Sequence, residues 1–485
     1  MSEVDKRDLE AKGFYKLSWV QRFGFASGDL AQNLIYQTVA SQLMFFCTDV
    51  YILGGDRSKA AGIASTLMLI VRFVDMVWDP IVGAFIDKNH PRWGKYRSYL
   101  IIGGIPLTVF SALTFWNKFA PSVPYIYITY ILLSLSYTLV NVPYGAINSS
   151  LTRDNDEITM LTSLRMWCAN IGCFFVYTLL FLFIAIVGGT PIPWDMILFN
   201  LFGNIPNLCI VPFMPAIKNL IGKKNMFYVF LTVAVAGNAI LYVASRMNAN
   251  DWWYRIGNLI KSTGVCVATG YQWALVPEVI SYGEWKTGRR ISAIVNAITG
   301  LFFKAGFALG GAIPGWIIQA SGYVSPPAGE STLPKDPMAW FTTLSIYFVI
   351  GFIILVFCFT QTKERVVMEE GQTNSVKVSD FWTEFTRNPP LVVVSLFFIV
   401  SFVMQNISNT SNNYLMNDLY KQKSSAQEAI RWTVCVIPAI LAIICMIIIS
   451  RYSLTDERLK RSTKKSKKEM QLRTVLKYNL QKIII

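Results

Sequence analysis

The chain has 485 residues, of which 53% are hydrophobic and only 15% charged, where a soluble protein carries about 25% charge. That balance excludes an ordinary soluble domain, and the formal net charge of +15 falls in separated segments and not in one continuous basic face, so no nucleic-acid partner is expected. The cysteines lie singly with no CxxC pair, and the single histidine, His90, sits in a loop, which excludes a disulfide scaffold, a histidine-held metal site and a histidine-based triad.

In chain order, a charged start lacking the apolar core and small-residue cleavage site of a secretory signal leads into about twelve apolar runs of bilayer-spanning length. They cover residues 23–53, 60–86, 98–117, 123–150, 161–187, 194–216, 225–247, 252–282, 291–320, 338–361, 388–411 and 428–450. Period-two alternation is missing, so these are helices and not barrel strands. The first run holds Asp29. The second holds Arg72, Asp75 and Asp79. Ionisable groups cost about 2.5–3.5 kcal/mol each at the centre of a bilayer on insertion scales, and persist where they pair or handle an ion or substrate. Asp75 and Asp79 are four residues apart and share one helical face, with Arg72 three residues before Asp75.

The loop that follows carries Asp87, Arg92, Lys95 and Arg97. A carboxylate followed by spaced cations suits a latch between two moving halves, although any short basic loop also signals topology. The fourth run brings Tyr137, Thr138, Asn141 and Tyr144, and the fifth Arg165 and Trp167. The eighth brings Tyr271, Trp273 and Glu278, and the ninth Lys304, too deep to reach a headgroup easily. The aromatics suit either sugar stacking or the interfacial belts of any membrane protein. Between the tenth and eleventh runs a polar stretch, 363–390, reads as a linker with a short amphipathic helix ending at Pro389 and Pro390. The tail holds Lys464, Lys465, Lys467 and Lys468, then Leu472, Val475, Leu476, Leu480 and Ile483 at helical spacing. It suits an anionic lipid surface or a disordered end.

Lysine and arginine concentrate in alternate loops and in both end segments, which by the positive-inside rule sets both termini in the cytoplasm. Twelve spans suggest two six-helix halves with a substrate site between them. Three acids (Asp29, Asp75, Asp79) and three bases (Arg72, Arg165, Lys304) offset one another's desolvation, and a mobile cation does the same reversibly.

Five elements together resemble the glycoside–pentoside–hexuronide:cation symporters of the major facilitator superfamily. They are Gly28 with Asp29; Asp75, Trp78, Asp79 and Pro80 with Trp93, Gly94, Lys95 and Arg97; Tyr137, Asn141, Pro143 and Tyr144; Tyr282, Gly283, Glu284, Trp285 and Lys286 followed by Lys304; and Tyr452 to Arg458. The resemblance implies an all-α, twelve-helix, two-bundle transporter and no enzyme. It matches Asp75 and Asp79 to cation-site carboxylates, with Thr138 a polar neighbour and Asn141 beside them. Asp29 and Arg165 match sugar contacts, joined here by Asn141, Tyr137, Tyr271 and Trp273, and Lys304 matches the lysine that answers the cation site from the other half. Arg72, Asp87, Arg92, Lys95 and Arg97 are the expected coupling and gating groups.

The implied partners are a sugar or glycoside, a monovalent cation and the lipid bilayer, with no cofactor, in a monomer of the bacterial inner membrane. Asn141 and Gly145 stand where melibiose-type members carry an aspartate and a tryptophan, and Trp78 where an asparagine is frequent. Sodium needs several oxygen ligands, whereas a carboxylate shielded from water carries a proton, so proton coupling is expected over sodium. The order of helices also departs. The family's sixth and seventh helices stand here between its eleventh and twelfth, which divides the chain into 1–190, 191–325, 326–425 and 426–485. The competing readings are a lysolipid or amphiphile symporter, an integral-membrane transferase, for which no dense acidic loop is visible, and a non-transporting protein that keeps the fold.

Overall fold

The computed structural model describes residues 16–89, 91–152, 155–287, 292–325, 333–362, 385–386, 388–417 and 424–452. Its helices are α1 (Trp19–Phe45), α2 (Ala60–Lys88), α3 (Ser98–Thr114), α4 (Val123–Leu151), α5 (Asn155–Phe174), α6 (Leu180–Gly188), α7 (Trp194–Cys209), α8 (Met214–Ile221), α9 (Lys223–Met247), α10 (Asp251–Thr287), α11 (Ser292–Ala320), α12 (Pro337–Gln361), α13 (Pro389–Asn417), α14 (Ser424–Arg431) and α15 (Ile437–Ser450). A π turn, Phe175–Leu179, joins α5 to α6; another, Trp432–Val436, joins α14 to α15; a third, Phe46–Val50, extends α1. Each pair so joined makes one span, and the described residues form helices joined by short connections. Eight of these segments are long and apolar enough to cross a membrane, and the protein is an integral membrane protein.

The helix starts are set locally. Ser18 and Gln21 form a reciprocal capping box at the start of α1. Asp336 accepts the backbone N–H groups of Met338 and Ala339 at the start of α12, with Pro337 in the first helical position. Asn388 accepts from the Leu391 N–H ahead of α13. The paired prolines therefore open a helix, because a proline at the first turn gives up an N–H that has no partner there. Residues 363–384, where the short amphipathic helix is expected, and the basic tail lie outside the described residues.

Packing divides the helices by contact and not by chain order. α1 lies against α5 and α12, α3 against α4 and α12, and α12 also against α6. On the other side α9 packs on α10 and α15, α10 on α7 and α13, and α13 on α11 and α15. The α9–α10 crossing is close. A Cβ at Gly237 would sit 2.2 Å from the Lys261 backbone nitrogen, and one at Gly264 2.3 Å from the Phe230 carbonyl. Only glycine lets the two backbones approach so far, the small-residue packing typical of helices in lipid. The two groups meet mainly along α2 and α11.

Candidate functional site

The three acids expected from the sequence each meet a base. Arg165 on α5 reaches Asp29 on α1, with Nε 2.6 Å from Oδ2 and Nη2 3.4 Å from Oδ1. Its guanidinium lies 4.5 Å over the Tyr144 ring, so it is held by an ion pair and a ring face and does not snorkel. Arg72 Nη1 lies 3.3 Å from Asp75 Oδ2 within α2 and 5.2 Å over Tyr36, whose ring stacks on Tyr137 at 5.0 Å. Lys304 on α11 makes an ion pair with Asp79 Oδ2, and that contact crosses from one helix group to the other.

The remaining carboxylate oxygens are held by α4. Ser134 donates to Asp75 Oδ1, and Thr138 donates to Asp79 Oδ1 at 3.1 Å. Two residues four apart on α4 thus face two residues four apart on α2, as the helical repeat requires. Asp75 is buried, whereas the Asp79 side chain is 31% exposed and Lys304 23%. The two acids of α2 are thus unequally buried. Trp78 is turned toward α4, its indole N–H donating to the Leu135 carbonyl.

These groups border a cavity of about 420 Å³, within the range of small-ligand sites. Asp29, Asp75, Tyr137, Thr138, Asn141 and Arg165 line one wall. Trp273, Phe303, Lys304, Gln405 and Asn409 line the other. Trp273 stands edge-on to Phe398 at 4.9 Å.

The structure departs from the sequence expectation at Tyr271, which packs edge-on against Phe227 at 5.9 Å in the apolar core. Two residues on one helix point about 200° apart, so when Trp273 faces the cavity Tyr271 faces away from it. Glu278 likewise turns from the cavity to Lys223 at 2.7 Å and the Tyr452 hydroxyl at 3.0 Å. Trp167 is exposed on the surface. In the loop after α2, Arg97 donates to the Thr362 carbonyl at 2.8 Å and lies 4.3 Å over Phe359, both at the end of α12. Lys95 lies 5.4 Å over Tyr96, and Arg92 is exposed. The Asp87 side chain lies outside the described residues.

A second buried ion pair escaped the sequence reading. Asp49, on the π turn after α1, takes Lys335 Nζ at 2.7 Å and the Ser325 hydroxyl at 2.6 Å on Oδ1, with Thr48 donating to Oδ2 at 2.6 Å. Thr48 also meets the Tyr414 hydroxyl of α13 at 2.9 Å. The signal was present, since Asp49 is an ionisable residue within the first apolar run. Asn413 donates to Gln42 at 3.0 Å, and Asn409 donates to Tyr177, which donates to Gln37. At the far end of α1, therefore, polar bonds tie α1 to α13. Near the start of α1, Arg22 pairs with Glu157 of α5 at 2.6 Å, within one helix group.

The sequence pattern of the family described as MFS/sugar transport protein matches residues 24–197, 193–337 and 329–427. The uncharacterized symporter YnaJ of Bacillus subtilis (strain 168) is 32% identical over 422 aligned positions, taking in 68% of this chain and 89% of that protein. The glucuronide carrier protein homolog of Escherichia coli (strain K12) is 26% identical over 433 positions, with 70% of this chain and 92% of the relative covered. The isoprimeverose transporter of Lactiplantibacillus pentosus is 26% identical over 396 positions, 63% and 81% covered.

Proposed function

Since this chain belongs to the MFS/sugar transport protein family, whose members are transporters and not enzymes, we propose that it carries a glycoside, pentoside or hexuronide together with a proton by alternating access. The observation that carries this reading is the Asp79–Lys304 pair, which joins the two helix groups beside a cavity with a carboxylate–arginine pair and a tryptophan on its walls. A cation taken by Asp75 and Asp79 replaces Lys304 as the neutralising charge and frees the lysine. That is a differential interaction between two conformations, the requirement for any coupled change of state. Sugar hydroxyls then bridge Asp29, Asn141 and Arg165 on one wall to Gln405 and Asn409 on the other, with a ring face on Trp273 or Tyr137. Closure needs both ligands because the cation releases Lys304 while the sugar supplies the contacts between the two walls.

Two facts support a proton over sodium. Among the described residues, the oxygens bonded to Asp75 and Asp79 are the hydroxyls of Ser134 and Thr138, and Trp78 presents an indole turned elsewhere. Sodium prefers a larger set of oxygens. The bonds at the far end of α1, together with the expected cytoplasmic termini, support an inward-facing reading of this conformation, in a bacterial inner membrane. An amphiphile substrate is less favoured. The apolar groove of about 340 Å³ between α1, α6 and α12 shares no lining residue with the main cavity.

The test is uptake of radiolabelled glycosides into inverted or right-side-out vesicles, with pH and sodium gradients imposed separately. Accumulation should follow the pH gradient. A several-fold stimulation by sodium at fixed pH overturns the proton, and no accumulation of any glycoside under either gradient overturns the transport reading.

A further inference from the structure

Above the main cavity, toward the far end of α1, lies a second and smaller one of about 80 Å³. The two share Asn207, Cys266, Gln405 and Asn409 as common walls. The small chamber is lined chiefly by amides, among them Asn258, Asn412 and Asn413, and by one cation, Lys261.

Lys261 is 3% exposed and donates to the Asn412 amide oxygen at 3.3 Å. Every other base on the walls of the main cavity already faces an acid: Arg165 with Asp29, Arg72 with Asp75, Lys304 with Asp79. The described acids and bases around the main cavity therefore cancel, and the adjoining chamber adds one uncancelled positive charge. Burying an ammonium without a counter-charge costs several kcal/mol, and cheap alternatives were open, since a glutamine would satisfy Asn412. The lysine is also fixed in place, because its backbone nitrogen packs on Gly237 where α9 and α10 cross. The Ser408 hydroxyl, a donor, is buried in the same walls with no hydrogen-bond partner.

We infer that this chamber is an anion subsite, in which Lys261 and the surrounding amides receive a carboxylate borne by the substrate while the sugar ring occupies the larger cavity. The inference rests on the sugar-transport reading and narrows it to acidic glycosides. Size agrees, since the chamber is much the smaller of the two, about 80 Å³ against about 420 Å³, as suits a substituent beside a ring. The Ser408 hydroxyl and the Asn412 amide N–H suit the oxygens of a carboxylate, which accepts several hydrogen bonds at once.

The test is binding to the purified full-length protein, followed by isothermal titration with 4-nitrophenyl β-D-glucuronide and 4-nitrophenyl β-D-glucoside. The wild type should bind the glucuronide more tightly. Lys261→Gln should weaken the glucuronide about tenfold or more, the usual effect of losing a charged hydrogen bond, and leave the glucoside within about twofold. Asn412→Asp, which supplies Lys261 with a carboxylate of its own, should remove the preference in the same way, while Lys261→Arg should keep it. Equal loss for both glycosides, or a wild type without preference, overturns the subsite and leaves the sugar reading standing. Wild-type protein that binds neither glycoside, though folded and monodisperse, removes the sugar reading and the subsite with it. Acetate or chloride that tightens glucoside binding through Lys261 assigns the chamber to a free anion and overturns the substrate-borne form.

Discussion

At the scale of single residues, the two acids of α2 have different surroundings, and different consequences follow from each. Asp75 is enclosed by Arg72 and Ser134, while Asp79 faces Thr138, Lys304 and the solvent side. Replacing Asp79 by Asn removes the charge that Lys304 answers, and accumulation of sugar against a gradient should stop while exchange of bound sugar continues. Counterflow measured beside active uptake separates the two, and retained accumulation overturns the scheme. Ser134 gives a milder test. Ser134→Ala deletes one hydrogen bond to a carboxylate, a loss of about 1.5–3 kcal/mol where the acceptor is charged. Because the hydroxyl stabilises the ionised carboxylate, the apparent affinity for the proton should rise at least about tenfold, with sugar affinity unchanged at saturating ion. Gly145 is open in the opposite sense. A Cβ there meets no atom within 4 Å, so Gly145→Trp should be tolerated in folding, as checked by membrane insertion and thermal unfolding.

At the scale of elements, the π turns carry polar groups at the junctions. Phe46–Val50 holds Thr48 and Asp49, and Phe175–Leu179 holds Tyr177. An extra residue in a helical turn re-aims the side chains beyond it, and such turns gather at functional sites. Here they direct Asp49 at Lys335 and Tyr177 at Asn409. Asp49 also takes the Ser325 hydroxyl, beyond the end of α11, across the two groups, and weakening that charge-assisted bond costs about 1.5–3 kcal/mol in the conformation where it forms. Asp49→Asn should therefore populate the opposite conformation. Spin-label distances between the ends of α2 and α11 should lengthen on the Asp49 side, and turnover should drop while sugar binding persists. Unchanged distances would assign Asp49 to folding alone.

At the scale of the whole molecule, α12 packs among helices that come first in the chain, and α13 among those that precede α12 in sequence but belong to the other group. The three stretches of the family match break at 193–197 and at 329–337, just before α7 and just before α12. The match to YnaJ spans 422 positions yet takes in only 68% of this chain, so the relative has a stretch that this chain lacks in line. We propose that α12 and α13 are the family's sixth and seventh helices, placed late. A hairpin enters and leaves the membrane on one side, so moving it leaves every other helix in its original direction. Returning residues 326–425 to the position after residue 193 should then preserve both uptake and the thermal unfolding temperature of the purified protein. Loss of either sinks the proposal.

Composition and apolar run length alone determined the helical membrane class, because a lipid-spanning backbone must satisfy its own hydrogen bonds and the sequence must be apolar for long enough to do so. The face shared by Asp75 and Asp79 was equally legible, since a helical repeat is a local property. The choice between Tyr271 and Trp273, the role of Ser134 and the Asp49–Lys335 pair were not. They depend on which helices meet and at what rotation, and contacts between residues hundreds of positions apart leave no period in a single sequence. Only the assembled bundles decided which charges have partners and which, like Lys261, are left facing a chamber of amides.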